Sequence, residues 1–225
     1  MSPATVPVLI VIGVFVAAVT LIAWTAARGG KRIAENVRQM AATLGFQFVE
    51  QTPVLGVFYP DAKVRGQLRG KAVEVFTFWS GSGRNRTQWS GVAATTVSSS
   101  ELTFRLRRQG FGTKVLEFFG AQEIEVGDAE FDRTWFIQSN QPEFFRGALL
   151  PEVRDRISSL VRELDTGAQR MEIQCFPNRV RYAEMGSFAE EDVCKRCLRA
   201  ADIVCDLADV AEVFAEQESG KGSIK

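Results

Sequence analysis

Four cysteines offer the first chemistry in this chain: Cys175, Cys194, Cys197 and Cys205. Four thiolates suffice for zinc or an iron–sulfur cluster, and Cys194-x-x-Cys197 has a spacing that such sites use. A redox pair of that spacing would stand just after a strand, at a helix N-terminus, where thiol pKa is lowered. Here the pair falls in the second turn of a predicted helix that opens on Glu190, Glu191 and Asp192, and nearby carboxylates raise a thiol pKa. Cys205 belongs to the same helix, so only Cys175 comes from elsewhere. The competing reading makes all four small apolar residues, packed in a reducing compartment. That reading is preferred, and no metal or other cofactor is expected.

Three further clusters invite the same question. GDAEFD places Asp128, Glu130 and Asp132 together, and neighbouring carboxylates can perform acid–base chemistry or hold a divalent cation. The segment lacks the glycine and bidentate glutamate of a calcium loop, so a turn entering a strand is the simpler expectation. GSGRNR, residues 81–86, could cradle a phosphate with backbone N–H groups and two guanidiniums. It lacks the strand–loop–helix context and Lys-Ser/Thr ending of a P-loop, and it reads as a hairpin tip. Asn85-Arg86-Thr87 is a formal glycosylation sequon that a cytoplasmic domain would not use. Arg105, Arg107 and Arg108 form a basic run at a strand end, expected to be a solvated face. The chain contains no histidine, which removes Ser-His-Asp and Cys-His catalysis, histidine-ligated metals and histidine pH sensing.

The elements that position these residues begin with residues 5–27, TVPVLIVIGVFVAAVTLIAWTAA, in which no charged side chain occurs. At about 1.5 Å per residue a helix of this length crosses a hydrocarbon core of roughly 30 Å. Positive charge follows on one side only, at Arg28, Lys31, Arg32 and Arg38, and positive residues remain cytoplasmic. The expectation is a single transmembrane helix in the cell's inner membrane, a short outside tail at 1–4, and a cytoplasmic domain. A cleaved signal fits worse, despite Thr25-Ala26-Ala27, because its basic residues should precede a shorter apolar run.

The 225 residues carry 27 basic and 27 acidic side chains. Between 28 and 110 there are 13 Lys/Arg against 5 Asp/Glu, and from 111 onward 14 against 22. The basic half adjoins the membrane. It suits anionic headgroups, although the two halves can equally attract each other. Zero net charge argues against a nucleic-acid partner.

Gly29-Gly30 is expected to break the membrane helix. Residues 28–45 then form an amphipathic helix, with Ile33, Val37, Met40, Ala41 and Leu44 on one stripe and Gly45 as its stop, packing on the domain in preference to the bilayer. From 46 to 217 the pattern is α+β. Strands are predicted at 64–69, 72–79, 89–97, 102–106, 122–126 and 131–139, while 111–120 is ambiguous. Pro142 and Pro151 open helices, MEIQCF and RVRYAEM pair across Pro177-Asn178, and 189–217 is a long amphipathic helix with the stripe Val193, Cys197, Ala200, Val204, Leu207, Ala211 and Phe214. Residues 218–225 are expected to be a disordered tail. The predicted fold is a bent antiparallel sheet of seven or eight strands with helices on one side, with a small barrel of pleckstrin type as the alternative.

The order of an N-terminal span, a helix ending in LGF, GDAEFDRTWFIQSN and ALLPEVRDRISSL resembles a family of bacterial single-pass membrane-anchored domains of unknown function. In these an FD-x-x-F-type strand precedes a leucine-rich helix and a short hairpin. The likeness lies between about 121 and 181. It implies membrane tethering and carries over no catalytic residue. The expected function is a non-enzymatic binding or scaffolding module that engages the bilayer through 5–27 and a protein partner through its domain. The alternatives are an anionic-lipid sensor using Arg28, Lys31, Arg32, Arg84 and Arg86, and a hydrolase or metal enzyme using the 128–132 carboxylates or the cysteines.

Overall fold

The computed structural model describes residues 5–48, 64–97, 99–109, 122–162 and 170–222, with the side chains of 5–13, 22, 23, 26, 221 and 222 outside that description. Helix α1 spans Thr5–Leu44 without interruption. Gly29-Gly30 therefore does not break it. Glycine weakens a helix by about 1 kcal/mol relative to alanine but does not forbid it, and the C-terminal part is held by Val37, Met40 and Ala41, at most 2% exposed. Residues 28–45 thus pack on the domain. Gly45 does stop the helix, at φ 68°. The Phe46 N–H reaches back to Ala41 O at 2.8 Å and the Gly45 N–H to Ala42 O at 3.3 Å, the paired bonds of a Schellman ending. Among the described residues no helix is long and apolar enough to cross a membrane.

After α1 come β1 (Gln47–Phe48), β2 (Val64–Leu68), β3 (Lys71–Ser80), β4 (Thr87–Thr95) and β5 (Phe104–Arg108). They are followed by β6 (Gln122–Ile124), α2 (Ala129–Thr134), β7 (Trp135–Ser139), α3 (Pro142–Ala148) and α4 (Pro151–Arg162). The hairpin β8 (Met171–Phe176) and β9 (Arg179–Met185) leads to α5 (Glu191–Gly222). The described strands form one antiparallel sheet of nine, ordered β1-β2-β3-β4-β9-β8-β5-β7-β6. This is two or one more than expected, and among the described residues no pairing joins β1 to β6 to close a barrel. The β8–β9 hairpin separates β4 from β5, although those two are neighbours in sequence. Residues 49–50 and 111–120 lie outside the described residues.

Two sequence expectations need correction. Residues 131–139 are not one strand, because Phe131 to Thr134 belong to α2. Asp128 caps that helix, its Oδ1 accepting from the N–H groups of Glu130 and Phe131 at 3.2 and 3.1 Å. Phe131 and Trp135 both reach the core, at 2% and 1% exposure. Helical spacing delivers them there as well as strand alternation would. The expected tail at 218–225 is helical as far as Gly222, where α5 ends, and 223–225 lie outside the described residues.

One face of the sheet is covered by helices. Val75, Val92, Tyr182, Ile173, Leu106 and Ile137 occupy successive positions across it, and each is 1% exposed or less. α5 lies on β4 and β9 and buries its whole predicted stripe, Val193 through Phe214. Each large aliphatic side chain so removed from water contributes about 1.5–3 kcal/mol. Charge fixes the lower end of α5. The β2–β3 turn, Arg69-Gly70, has φ 53° and 78°, as a two-residue type I′ turn requires. Arg69 from that turn pairs with Asp206. Lys71, only 5% exposed, reaches Asp209 at 2.9 Å and Glu212 at 2.8 Å.

Candidate functional site

The other face of the sheet is covered by no described helix, and its side chains follow from register. One row runs Phe76, Gly91, Ala183, Glu172, Arg107, Phe136; the next runs Glu74, Ala93, Arg181, Gln174, Arg105, Gln138. Glu172 is the hub. Its Oε2 accepts from Arg105 Nη2 at 2.5 Å and from Nε at 3.2 Å. Its Oε1 accepts from Arg181 Nη2 at 2.8 Å, and Arg107 Nε stands 3.8 Å away. Arg181 also donates to Gln174 Oε1 at 3.0 Å. Three guanidiniums thus surround one carboxylate. Burial lowers the pKa of Arg107, with repulsion from Arg105 adding to it. Burial likewise lowers that of Arg181 against the pull of Glu172.

An aromatic flank borders this cluster. Phe78 stacks between Phe76 and Trp89 at ring separations of 6.0 and 5.9 Å. The Arg181 guanidinium lies 5.4 Å from the Phe78 ring and 4.9 Å from that of Phe176. Gly91 is required here, because a Cβ at that position would lie 2.2 Å from Tyr182 O and 3.0 Å from the Phe76 ring. Guanidiniums and ring faces bind carboxylates, phosphates and planar groups. Here the three guanidiniums are turned on Glu172, which is itself only 8% exposed.

The basic run at 105–108 is therefore not a solvated face. Arg105 and Arg107 belong to the Glu172 cluster, and Arg108 turns to the helix-covered side. The sequence left Glu172 and Arg181 unremarked. Their signal was the complementary charge of MEIQCF and RVRYAEM across a turn whose two residues fix Gln174 opposite Arg181.

The carboxylates of 128–132 act on backbone. Asp128 caps α2, and Asp132 accepts the N–H groups of Val126 and Gly127 at 2.9 and 3.0 Å, while Glu130 is exposed. All four cysteines are free and buried. Burial pushes the Cys175 thiol up to about 12 and that of Cys194 to about 11, with Glu184 and Glu191 adding to the latter. Cys197 is raised well above its usual value by burial first and Glu184 second. Among the described residues no group of three or more His, Cys, Asp or Glu side chains could hold a metal ion. Residues 83–85 make a 3-10 turn at the β3–β4 tip, where Arg84 and Arg86 are exposed.

Asn36 Nδ2 of α1 donates to Phe188 O at 2.7 Å, and the Gly186 N–H donates to Gln88 O at 3.1 Å. The segment after β9 thus ties α1, four residues past Arg32, to β4 at the base of the tip that carries Arg84 and Arg86. Within α1 the Arg28 guanidinium sits 3.5 Å from the Trp24 ring centroid.

No family model matches the chain, and no curated protein matches it. Among solved structures it is similar to the mycobacterial trehalose monomycolate transport factor A, at 15% identity and a TM-score of 0.45, covering 79% of this chain and 93% of that one. That likeness is too loose to carry a function across.

Proposed function

We propose that this chain is a membrane-anchored binding module without catalytic chemistry, which holds the Glu172 face of its sheet near the cytoplasmic surface of a membrane for a protein partner. The observation that supports it is the character of α1. Val14, Phe15 and Val16 are consecutive and 65%, 69% and 54% exposed. At about 100° per residue they point in three directions, so the apolar exposure at this level is not confined to one face. Further along, the same helix enters the domain core at Val37 and Met40. Trp24 with Arg28 over its ring suits the headgroup level, and the one-sided positive charge favours an outside N-terminus. The resemblance to bacterial single-pass anchored domains points the same way.

The test has two readouts on the full chain in its native membrane. Alkaline carbonate should leave it in the membrane pellet, and protease should reach the domain only from the cytoplasmic side. A photo-crosslinking residue at Phe176 should give a discrete protein adduct, whereas one at Asp155, on the helix side, should not. Release by carbonate overturns the anchor. Identical adduct patterns from the two positions overturn the assignment of the binding face.

A further inference from the structure

We infer that the β3–β4 hairpin tip is a second footing on the membrane, with Arg84 and Arg86 lying against anionic lipid headgroups and Trp79 beside them. This rests on the anchored reading above and adds which surface of the domain faces the bilayer. Connectivity carries the first part. Asn36 of α1 is tied to Phe188, and Arg32 and Arg28 precede it by one and two helical turns, about 6 and 12 Å of helix at about 1.5 Å per residue. The last pair between β4 and β9 is Trp89 with Met185, and Gly186 is tied to Gln88. Beyond it β3 and β4 continue for the pairs Trp79–Gln88 and Ser80–Thr87, about 7 Å at about 3.3 Å per residue, before the loop adds its own reach. The tip and the basic segment of α1 thus both lead on from neighbouring tied residues.

Composition carries the second part. From 75 to 100 the sequence has no acidic residue. Trp79 is 48% exposed at the base of the tip, with the Arg86 guanidinium 5.2 Å from its ring. An exposed indole beside arginines suits the headgroup region. Among the described residues the first turn of α5, which follows Phe188, carries opposing charge at Glu190, Glu191 and Asp192. Glu191 is paired with Lys195 at 2.8 Å. Glu35 on α1 is exposed but lies between Arg32 and Arg38.

The experiment places an environment-sensitive thiol probe on the full chain at Ser82→Cys, or at Val97→Cys near the opposite end of β4, where the side chain is 84% exposed. The four native cysteines are buried and leave the probe selective. The chain is reconstituted in phosphatidylcholine vesicles with or without phosphatidylglycerol, each doped with a headgroup quencher. The Ser82 probe should lose fluorescence in the anionic vesicles and the Val97 probe should not. High salt, or Arg84→Glu with Arg86→Glu, should restore the signal while the chain still floats with the vesicles. A Ser82 probe as bright as the Val97 probe, on a chain that floats, overturns the footing and leaves the anchor standing. Quenching that is the same in neutral vesicles, or that survives charge reversal, also overturns it. A chain that floats with neither vesicle overturns the anchor itself.

Discussion

Replacing Arg196 by Met isolates a buried charge and tests how α5 is joined to the sheet. Glu184 on β9 has a fully buried side chain, and that of Arg196 is 10% exposed. The Arg196 Nε and Nη2 groups donate to Glu184 Oε2 at 2.8 and 2.7 Å. Burial pulls the guanidinium pKa down, and the hydrogen bonds and charge of Glu184 more than offset that, so it stands above its usual value. Met keeps the apolar stem and deletes the charge. Removing one partner of a buried pair costs about 3–5 kcal/mol. At about 2–4 °C per kcal/mol for a domain of this size, the melting midpoint should fall by roughly 6–20 °C. The assay is thermal unfolding of the full chain in detergent, followed by near-ultraviolet circular dichroism. The double variant Glu184→Gln/Arg196→Met removes both charges and should recover most of the loss. Acidity supplies the signed control. In Arg196→Met the folded state disfavours ionised Glu184, so its folded pKa exceeds the unfolded value of about 4.3. The native state then binds the extra proton, and the variant should gain stability as pH falls from 7 towards 5. A midpoint within about 2 °C of the parent, or a double variant no better than the single, would refute the reasoning.

Three other outcomes follow from the same structure. Iodoacetamide at pH 8 should leave Cys175, Cys194 and Cys205 unmodified until denaturant is added, since burial holds these thiols at about 12, 11 and 11; because their folded pKa values exceed the unfolded one, stability should be lost as pH rises from about 9 to 11, by about 1.4 kcal/mol per thiol per unit, and a flat melting midpoint over that window would contradict it. Gly66→Ala should cost about 1–3 kcal/mol, because the new Cβ would sit 2.1 Å from Phe46 Cδ1; adding Phe46→Ala should be less than additive in chemical denaturation, and strict additivity would disprove the contact. Asp128→Ala should lose about 1 kcal/mol as a missing N-cap, read by thermal melts, and Asp128→Asn should keep most of it, since an asparagine oxygen caps nearly as well.

What the sequence discloses here depends on how local the cause is. The α5 stripe and the β8–β9 turn rest on periodicity and on two turn residues, and both were legible. The span of α2 was not, because i, i+4 spacing of Phe131 and Trp135 and alternation from Phe131 to Ile137 place the same three side chains inward. Asp128 as an N-cap was the signal that separated the two. The Glu172 cluster was hidden for another reason. Arg181 meets Glu172 inside the β8–β9 hairpin, but Arg105 and Arg107 come from β5, and only the pairing of β5 with β8 brings them to the same carboxylate. No window of sequence contains that adjacency.

The continuity of α1 changes what an anchor of this kind would do. A flexible break at Gly29-Gly30 would let the domain sample every orientation, and any face could meet the bilayer. An unbroken helix instead fixes height and azimuth together, at about 1.5 Å and 100° per residue. Its C-terminal end is locked through Val37, Met40 and the Phe46–Gly66 contact. Under the anchored reading, the direction in which the arginines around Glu172 face is then set by helical phase between Trp24 and Val37 rather than by a tether's length. The two glycines tolerate the helix without choosing it; the packing on their C-terminal side chooses it.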